Sequence, residues 1–448
     1  MIRPKQRNGR WKKIIAGHGQ FRRVLIIFML LLMAVSMAQS AVLAEETKPC
    51  SWPQFHGPRR DNLSSDTGLL KRWPEDGPEL VWKAKGIGHG FSSVAIFDGV
   101  IYTAGNIEAE TVITALNMSG SILWQTRSGS AFTKAHPGSR STPTIDGSRL
   151  YHLNGNGYVV CLEAKTGKQI WTLNILEKFH GRNIEWGLSE SLLVDGENII
   201  CCPGGEEVSM VALNKHTGET VWICTGVGDK PAYVAPIVVD YKGLRQIITV
   251  MYASAIGVAA DTGELLWRYD HPVKYGSNIS TPVYHDGHVV LFRTFGLGAT
   301  MLKLNVKDRT CTVTEVWHTE ELDNEHGGVV LVDGYLYGHA DGNHKWRHWA
   351  CLELKTGRTM YSVEGLPAKA SGTLTYADGM LYLLGEPGNV ALMPANPESF
   401  SIVSQFQLPR EGKSPAWAHP VVCGGKLHLR HGEFLYVYDV RMKENIKR

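Results

Sequence analysis

Residues 141–171 read STPTIDGSRLYHLNGNGYVVCLEAKTGKQIW. Two runs rich in β-branched and aromatic residues flank Asp146-Gly147, and a third run leads to a Thr-Gly pair and a final Trp. Asp-Gly between such runs is a strong hairpin signal, because a type I′ turn needs a positive φ at both central residues. Thr-Gly acts similarly, since glycine adopts a positive φ without steric cost. This stretch therefore predicts a four-stranded antiparallel meander, with strands A to D in chain order.

The same pattern recurs along the chain. Asp-Gly or a weaker equivalent begins at eight positions separated by 45 to 49 residues: Asp98, Asp146, Asp195, Asp240, Asp286, Asp333, Asp378 and Gly424. In five repeats an aromatic residue follows the glycine of the second turn by four positions, as in Gly167 and Trp171. Four-stranded units at this period are typical of β-propeller blades.

The two ends of the repeat region indicate how the ring closes. The eighth repeat ends after three strands, whereas 79–82 (ELVW) forms an isolated strand of the fourth kind before the first repeat. A solenoid would instead need polar caps at both ends. The sequence thus predicts an all-β fold, an eight-bladed β-propeller of four-stranded antiparallel blades whose last blade is closed by the N-terminal strand.

The N-terminal region differs from the repeats. Residues 1–23 carry eight basic and no acidic side chains, and an uncharged apolar stretch follows over 24–44. We interpret 1–44 as a signal peptide or, alternatively, an uncleaved N-terminal membrane anchor. Cys50 lacks the small and apolar neighbours of a lipid-attachment site. The remaining divisions are an N-terminal extension over 45–77, the propeller over 78–441 and a basic tail over 442–448.

The Trp-ending strands preceded by Thr-Gly resemble those of the quinoprotein, or PQQ-repeat, propellers. Segments 52–58, 185–191, 203–205 and 417–422 are also similar to a secreted group of such propellers common in planctomycete-type bacteria. Some members of the superfamily are dehydrogenases that bind pyrroloquinoline quinone (PQQ) and Ca²⁺ in a central funnel. Others, such as the outer-membrane assembly factor BamB, keep the ring without a cofactor. The repeats do not separate the two classes, because their Trp residues pack blades together in both.

The connections between blades are the expected functional face. The Asp-Gly and Thr-Gly turns share one uniform face, so the longer B–C and D–A connections lie on the other, where function concentrates. The D–A connections carry the candidate ligand-binding residues of the funnel: Arg140, Glu185, Trp186, Glu190, Asn278, His326, Lys369, Trp417 and His419. Together these side chains suit a small-molecule site, although each could instead hydrogen-bond the ends of neighbouring blades.

Two further features leave alternatives open. Glu190 or Glu185 with Asn278 could supply oxygen ligands to Ca²⁺, but no metal-site motif of the dehydrogenases matches, so the metal and catalytic residues stay unassigned. By resemblance, Cys201 and Cys202 could form the vicinal disulfide on which such enzymes stack PQQ; alternatively they are core thiols, or Cys224 is a partner.

Two other groups of residues carry separate expectations. Cys161 and Cys351 occupy equivalent strand positions and are expected in the core. The B–C loop of blade 6, residues 339–349, has three histidines and two Trp that could bind a metal, a glycan or a protein.

The predicted function is that of an exported binding or scaffold module, periplasmic or secreted, with an envelope protein or a small-molecule or polysaccharide ligand as partner. The alternative is a PQQ- and Ca²⁺-dependent alcohol or sugar dehydrogenase, or another hydrolase or lyase activity in the funnel. The chain carries a net charge of +3, which becomes about −5 without the basic N-terminus. That mild acidity argues against a nucleic-acid partner. Membrane contact is expected only through an uncleaved N-terminal segment.

Overall fold

The computed structural model describes residues 50–326, 328–341, 347–364, 371–409, 411–412 and 415–443. The expected signal peptide, the first residues of the extension, Lys369 and most of the basic tail lie outside this part of the chain. No helix in the described ranges is both long and apolar enough to cross a membrane. The helices with defined bounds are short: an α-helix at Ile175–Lys178 and a 3₁₀ turn at Lys274–Gly276.

Eight antiparallel sheets form the ring, as the repeat predicts. Blades 1 to 4 each consist of strands A to D in chain order. Their bounds are Ala95–Phe97, Val100–Ile107, Glu110–Asn117 and Ile122–Ser130; Thr144–Asp146, Arg149–Leu153, Tyr158–Glu163 and Gln169–Asn174; Leu193–Asp195, Asn198–Cys201, Met210–Asn214 and Thr220–Cys224; and Ile237–Tyr241, Leu244–Val250, Ser254–Ala259 and Leu265–Asp270.

Blades 5 to 7 repeat this order, and blade 8 closes the ring. The bounds of blades 5 to 7 are Val283–His285, His288–Phe292, Ala299–Lys307 and Thr310–Thr319; Val330–Val332, Tyr335–Ala340, His348–Glu353 and Thr359–Val363; and Gly372–Ala377, Met380–Gly385, Asn389–Pro394 and Ser404–Gln407. Blade 8 combines Val421–Cys423, Lys426–His431 and Phe434–Asp439 with Glu79–Ala84, which pairs antiparallel with the third of these strands. The eight-bladed ring and its N-terminal closing strand are confirmed.

The A–B turns differ in register between blades. In blade 1 both Asp98 and Gly99 have positive φ, 48° and 72°, as a type I′ turn requires. In blades 2 and 3 the aspartate is instead the last residue of strand A, and Gly147 or Gly196 takes the first central position. A glycine there suits a type II′ turn, whose twist also matches the flanking strands. The prediction of a type I′ turn is therefore wrong for blades 2 and 3.

Strand D tryptophans join neighbouring blades at five of the eight junctions. The indole Nε1–H of Trp171 in blade 2 donates to the backbone oxygen of Lys215 in blade 3, at 3.2 Å. The ring covers Gly218, the turn glycine of blade 3, where an added Cβ would lie 2.9 Å from the indole. The same arrangement links blades 8 and 1, 1 and 2, 3 and 4, and 5 and 6. Thr-Gly and Trp therefore form one packing unit across neighbouring blades, and the apolar clusters likewise lie between blades.

Residues 52–64, here called the axial segment, run along the innermost strands. Trp52 forms an antiparallel bridge with Ile96 of blade 1, and the oxygen of Pro53 accepts from the N–H of Ile145 in blade 2. At its other end Leu63–Ser64 pairs in parallel with strand A of blade 7. The segment therefore contacts blades 1 and 2 at one end and blade 7 at the other, near the Asp-Gly ends of strand A. This part of the expected N-terminal extension thus packs against the inner strands of the propeller.

Two further contacts hold the axial segment in place. A disulfide joins Cys50, just before it, to Cys423 at the end of strand A in blade 8. The Arg60 guanidinium is buried and donates to the backbone oxygens of Ser191, Leu192 and Pro236 in blades 3 and 4. With the contact between His56 and His419 of blade 8, the segment bonds to inner strands, or to the residues just before them, in six of the eight blades.

Candidate functional site

A cavity of about 260 Å³ lies inside the ring, above the axial segment. Every blade contributes to its wall through the connection that leads into its strand A; one such residue from each is Phe91, Arg140, Trp186, Tyr233, Ile279, His326, Ser371 and Trp417. Arg347 and Glu386 of the B–C connections complete the wall, and no residue of an Asp-Gly or Thr-Gly turn takes part. The cavity is therefore built by the variable face of the propeller.

The floor of the cavity comes from the axial segment and blade 8. His56 Nε2 lies 2.9 Å from His419 Nδ1, and His419 Nε2 lies 3.0 Å from the backbone oxygen of His326. A carbonyl only accepts, so in the neutral ring His419 donates through Nε2 and its Nδ1 accepts from His56. Phe55 stacks on His56 at 3.8 Å between ring centroids. Burial lowers the pKa of His56 and brings that of His419 down to about 4, so both imidazoles are neutral at pH 7.

Aromatic side chains form two parts of the wall. Trp417 lies between several rings, with centroid distances of 4.5 Å to His326 and 4.7 Å to Phe91. Across the cavity wall, in blades 3 and 4, Trp186 and Tyr233 pack at 5.5 Å. Trp and Tyr combine an apolar face with a polar edge, which suits ligands that have both characters.

Arg140 places a cation in the wall. Its guanidinium donates to the backbone oxygens of Gly138 and His136 and lies 5.4 Å from the centroid of the Phe91 ring. Burial lowers the pKa of Arg140 to about 10, which still leaves the group charged at pH 7. The side chain is therefore a half-buried cation held by neutral oxygens and aromatic rings.

Acidic residues of blades 6 and 7 lie on another side of the cavity. The carboxylate of Asp341 is fully buried and pairs with Arg347 at 2.9 Å. Burial, with the adjacent charge of Asp341, raises the pKa of Glu325 to about 8. Burial also raises the pKa of Glu386, opposed by its neighbours Trp417 and Arg347. At neutral pH Glu325 is therefore mainly protonated and can donate a hydrogen bond.

The structure brings together five of the nine funnel candidates. Arg140, Trp186, His326, Trp417 and His419 line the cavity. The other four do not, for different reasons. Glu185 is exposed and lies outside the wall, and Lys369 falls outside the described residues.

Glu190 and Asn278 are buried in structural roles. Glu190 Oε1 accepts from the N–H of Cys202 at 2.8 Å, and the Asn278 amide donates to the oxygen of Met251 at 2.9 Å. Burial raises the pKa of Glu190 to about 7, although the nearby Arg60 acts in the opposite direction.

The oxygen ligands proposed for Ca²⁺ are thus not assembled. Neither Glu190 nor Asn278 contributes to the cavity wall, and Glu185 points to solvent. Within the described ranges, no group of three or more His, Cys, Asp or Glu side chains is placed to hold a metal ion. These residues do not fit the metal that the dehydrogenase resemblance implies.

The vicinal disulfide is not formed either. Cys201 and Cys202 are buried free thiols that belong to different apolar clusters, because successive residues of a strand face opposite sides. Cys224 is also a free thiol, and it packs in the cluster that contains Cys202. The disulfide that the structure does contain, Cys50–Cys423, was not predicted.

The other cysteines and the blade 6 loop have local roles. Cys161 and Cys351 are fully buried free thiols, as expected. In the loop, residues 342–346 lie outside the described ranges. Of its remaining aromatic residues, His339 packs on Trp349 at 5.2 Å and His348 contacts a backbone oxygen. Both histidines therefore have partners within the protein.

Several residues of the cavity were not among the candidates predicted from the sequence. Phe91 and Glu325 stand in D–A connections that the repeat pattern singles out, beside the chosen candidates. Phe55 and His56 belong to the axial segment, where the family-like 52–58 motif was the available signal. Glu386 follows strand B of blade 7, and only the three-dimensional structure brings it to the axis.

A ring of eight blades, most of them joined by strand D tryptophans, around an axial cavity is the architecture of PQQ-repeat propellers. The chain belongs to the family described as outer membrane protein assembly factor BamB, which matches residues 108–363.

Curated relatives are similar over part of their length. BamB of Yersinia pestis is 26% identical over 251 residues, or 54% of this chain and 60% of that protein. BamB of Moranella endobia is 26% identical over 300 residues, or 64% and 73%. The match thus spans less than two thirds of the Yersinia protein.

Solved structures from both functional classes share the fold. BamB from Moraxella catarrhalis superposes with a TM-score of 0.57 at 13% identity, over 82% of this chain and 98% of that one. Quinohemoprotein alcohol dehydrogenase from Comamonas testosteroni gives 0.61 at 12% identity, over 91% and 83%. At such low identity these likenesses show the fold alone.

Proposed function

We propose that this protein is an exported binding propeller of the cell envelope, which holds a ligand or partner on its loop face. The observation that carries this proposal is the axial cavity, whose wall is drawn from all eight blades and whose floor is the protein's own N-terminal segment. A concave site with aromatic walls and a few convergent polar groups is the usual form of a ligand pocket. The curated relatives are named as outer-membrane protein assembly factors, which supports a role in the envelope.

Two features support export. The basic and then apolar N-terminal sequence has the pattern of a secretion signal. The Cys50–Cys423 disulfide would persist in the periplasm or outside the cell, whereas the cytosol keeps thiols reduced.

The dehydrogenase alternative has less support. It rests on the fold shared with quinohemoprotein enzymes, but the adjacent cysteines face opposite sides of blade 3 and the proposed oxygen ligands do not reach the cavity. Titration with PQQ and Ca²⁺, followed by thermal melting, tests it directly. A cofactor that binds the folded state raises the melting temperature by mass action. A saturable rise would favour the enzyme.

Blocking the cavity tests the binding proposal. Ser189 is a half-buried residue of the wall, and Ser189→Trp would fill the space; Ser148→Trp adds the same side chain to an exposed turn on the opposite face. Each purified protein is incubated with envelope extract, and retained small molecules are identified by native mass spectrometry. We expect the wild type and Ser148→Trp to retain a ligand that Ser189→Trp loses. Equal retention by both variants, or none by the wild type, would contradict a cavity ligand.

A further inference from the structure

The surroundings of Arg140 leave its positive charge uncompensated. Its guanidinium donates to three backbone oxygens, those of Ala135, His136 and Gly138, whereas a guanidinium has five N–H donors. Among the residues that the structure describes, no carboxylate lies within the 4.0 Å ion-pair distance of Arg140. Arg140 is half-buried, and a cation that is partly removed from water without a counter-charge is disfavoured, so an anionic ligand would relieve that cost.

The nearby acids do not supply the counter-charge. Asp341 already pairs with Arg347. Glu325 and Glu386 both have raised pKa values, principally through burial, which favours their neutral forms. In its protonated state Glu325 adds no negative charge to this side of the cavity. The positive charge of Arg140 therefore decides which ligand charge the cavity favours, and it favours an anion.

The rest of the wall is suited to a hydroxylated ring. Serine and threonine side chains line it at several heights: Ser189, Ser191, Ser277, Thr281 and Ser371. The buried Thr281 hydroxyl has no protein partner among the described residues. Aromatic faces stand beside these hydroxyls, and a volume of about 260 Å³ is at or below the small end of the range for ligand pockets. A monosaccharide-sized molecule is compatible with both the size and this mixture of surfaces.

We propose that the axial cavity binds an acidic sugar unit, with its carboxylate on Arg140 and its ring between the hydroxyl and aromatic parts of the wall. Arg binds carboxylates through paired, charge-assisted hydrogen bonds that are stronger than neutral ones. This inference rests on the proposed function and specifies the class of ligand.

Three related sugars test the charge preference. Dissociation constants of glucuronate, glucose and glucosamine are measured on the full protein by ligand-observed NMR titration. We expect glucuronate to bind at least about tenfold tighter than glucose, as one charge-assisted interaction provides, and glucosamine to bind weakest. Arg140→Gln should remove the preference, so that glucuronate and glucose bind alike. Arg127→Gln, at an exposed position of strand D in blade 1, is the matched control and should retain it.

The possible outcomes separate this inference from the broader proposal. Equal binding of glucuronate and glucose by the wild type, abolished by Ser189→Trp, would overturn the acidic-sugar inference but support a cavity ligand. A preference that persists in Arg140→Gln, or no detectable glucuronate binding, would also overturn it. If no glucuronate binding is detected, the envelope-extract experiment decides the broader binding proposal independently. Loss of preference in both arginine variants would show that Arg140 has no specific role.

Discussion

Replacing Arg60 by alanine should destabilise the whole propeller. Its guanidinium is buried and donates to three backbone oxygens, and its Nε donates to Gln54 Oε1 at 3.0 Å. The variant would leave these buried acceptors unpaired, and it would remove the cation near Glu190. Removal of one partner from a buried charged network costs about 3–5 kcal/mol. We expect the free energy of unfolding to fall by that amount.

Arg59 provides a matched control one residue away. Its side chain is 61% exposed and pairs with Asp61 at the surface, so Arg59→Ala should cost less than about 1 kcal/mol. With an unfolding entropy of about 2.1 cal/mol/K per residue over roughly 400 residues, each kcal/mol shifts the melting temperature by about 1.2 °C. Arg60→Ala should therefore melt about 4–6 °C lower and Arg59→Ala within about 1 °C of the wild type.

The pH dependence gives this prediction a second readout. The folded-state pKa of Glu190 is about 7, above its ordinary value, so its ionisation disfavours folding as pH rises from about 4.5 through 7. Without Arg60 the folded-state pKa rises further, because the cation that favours the carboxylate is gone. The penalty of Arg60→Ala should thus be larger at pH 8 than at pH 5 in denaturant titrations. Equal melting of the two arginine variants, or a penalty independent of pH, would refute this account of the axial segment.

Three other perturbations test separate parts of the structure. Cys50→Ser should lower stability by about 2–4 kcal/mol, because the lost disulfide closes a long loop; unchanged denaturation midpoints with and without reductant would contradict it. Trp171→Ala should lower the free energy of unfolding by about 2–3 kcal/mol, less than the loss of a fully buried Trp, because it removes a half-exposed ring and its hydrogen bond to Lys215. An unaltered melting temperature would show that this contact between blades contributes little to stability. The folded-state pKa of Glu325 is about 8, so wild-type stability should fall as pH rises from about 4.5 to 8, and Glu325→Gln should flatten that slope; identical slopes in urea titrations would be the contrary result.

The repeat determined much of the fold because its signals are local. Each turn glycine and each strand D aromatic is readable within a few residues, and together they predict the number of blades and the strand order. The turn register was less predictable, because an aspartate such as Asp146 can be either the first central residue of a type I′ turn or the last residue of strand A. That choice depends on pairing across the hairpin.

The site was only half predictable, because its remaining parts are joined by contacts distant in sequence. Arg140 and Trp417 are recognisable as polar or aromatic residues in connections that lead to the axis. Nothing local shows that His56 reaches the same cavity, since its partner His419 is 363 residues away. Conversely, Glu190 has the residue type of a ligand, but its carboxylate accepts a backbone N–H. Sequence indicates which side chains could act, whereas burial and pairing decide which remain available.

Blade 8 combines one strand from near the start of the propeller with three strands from its end, and this constrains the order in which the molecule can fold. Its strand Glu79–Ala84 has to wait for Phe434–Asp439, the last strand of the propeller to be synthesised. Contacts between such distant segments form late, because closing a long loop costs chain entropy. Until then, edge strands of the growing array stay uncovered and prone to aberrant pairing. A nascent chain that stops short of Phe434 should remain open, however many blades it has already made.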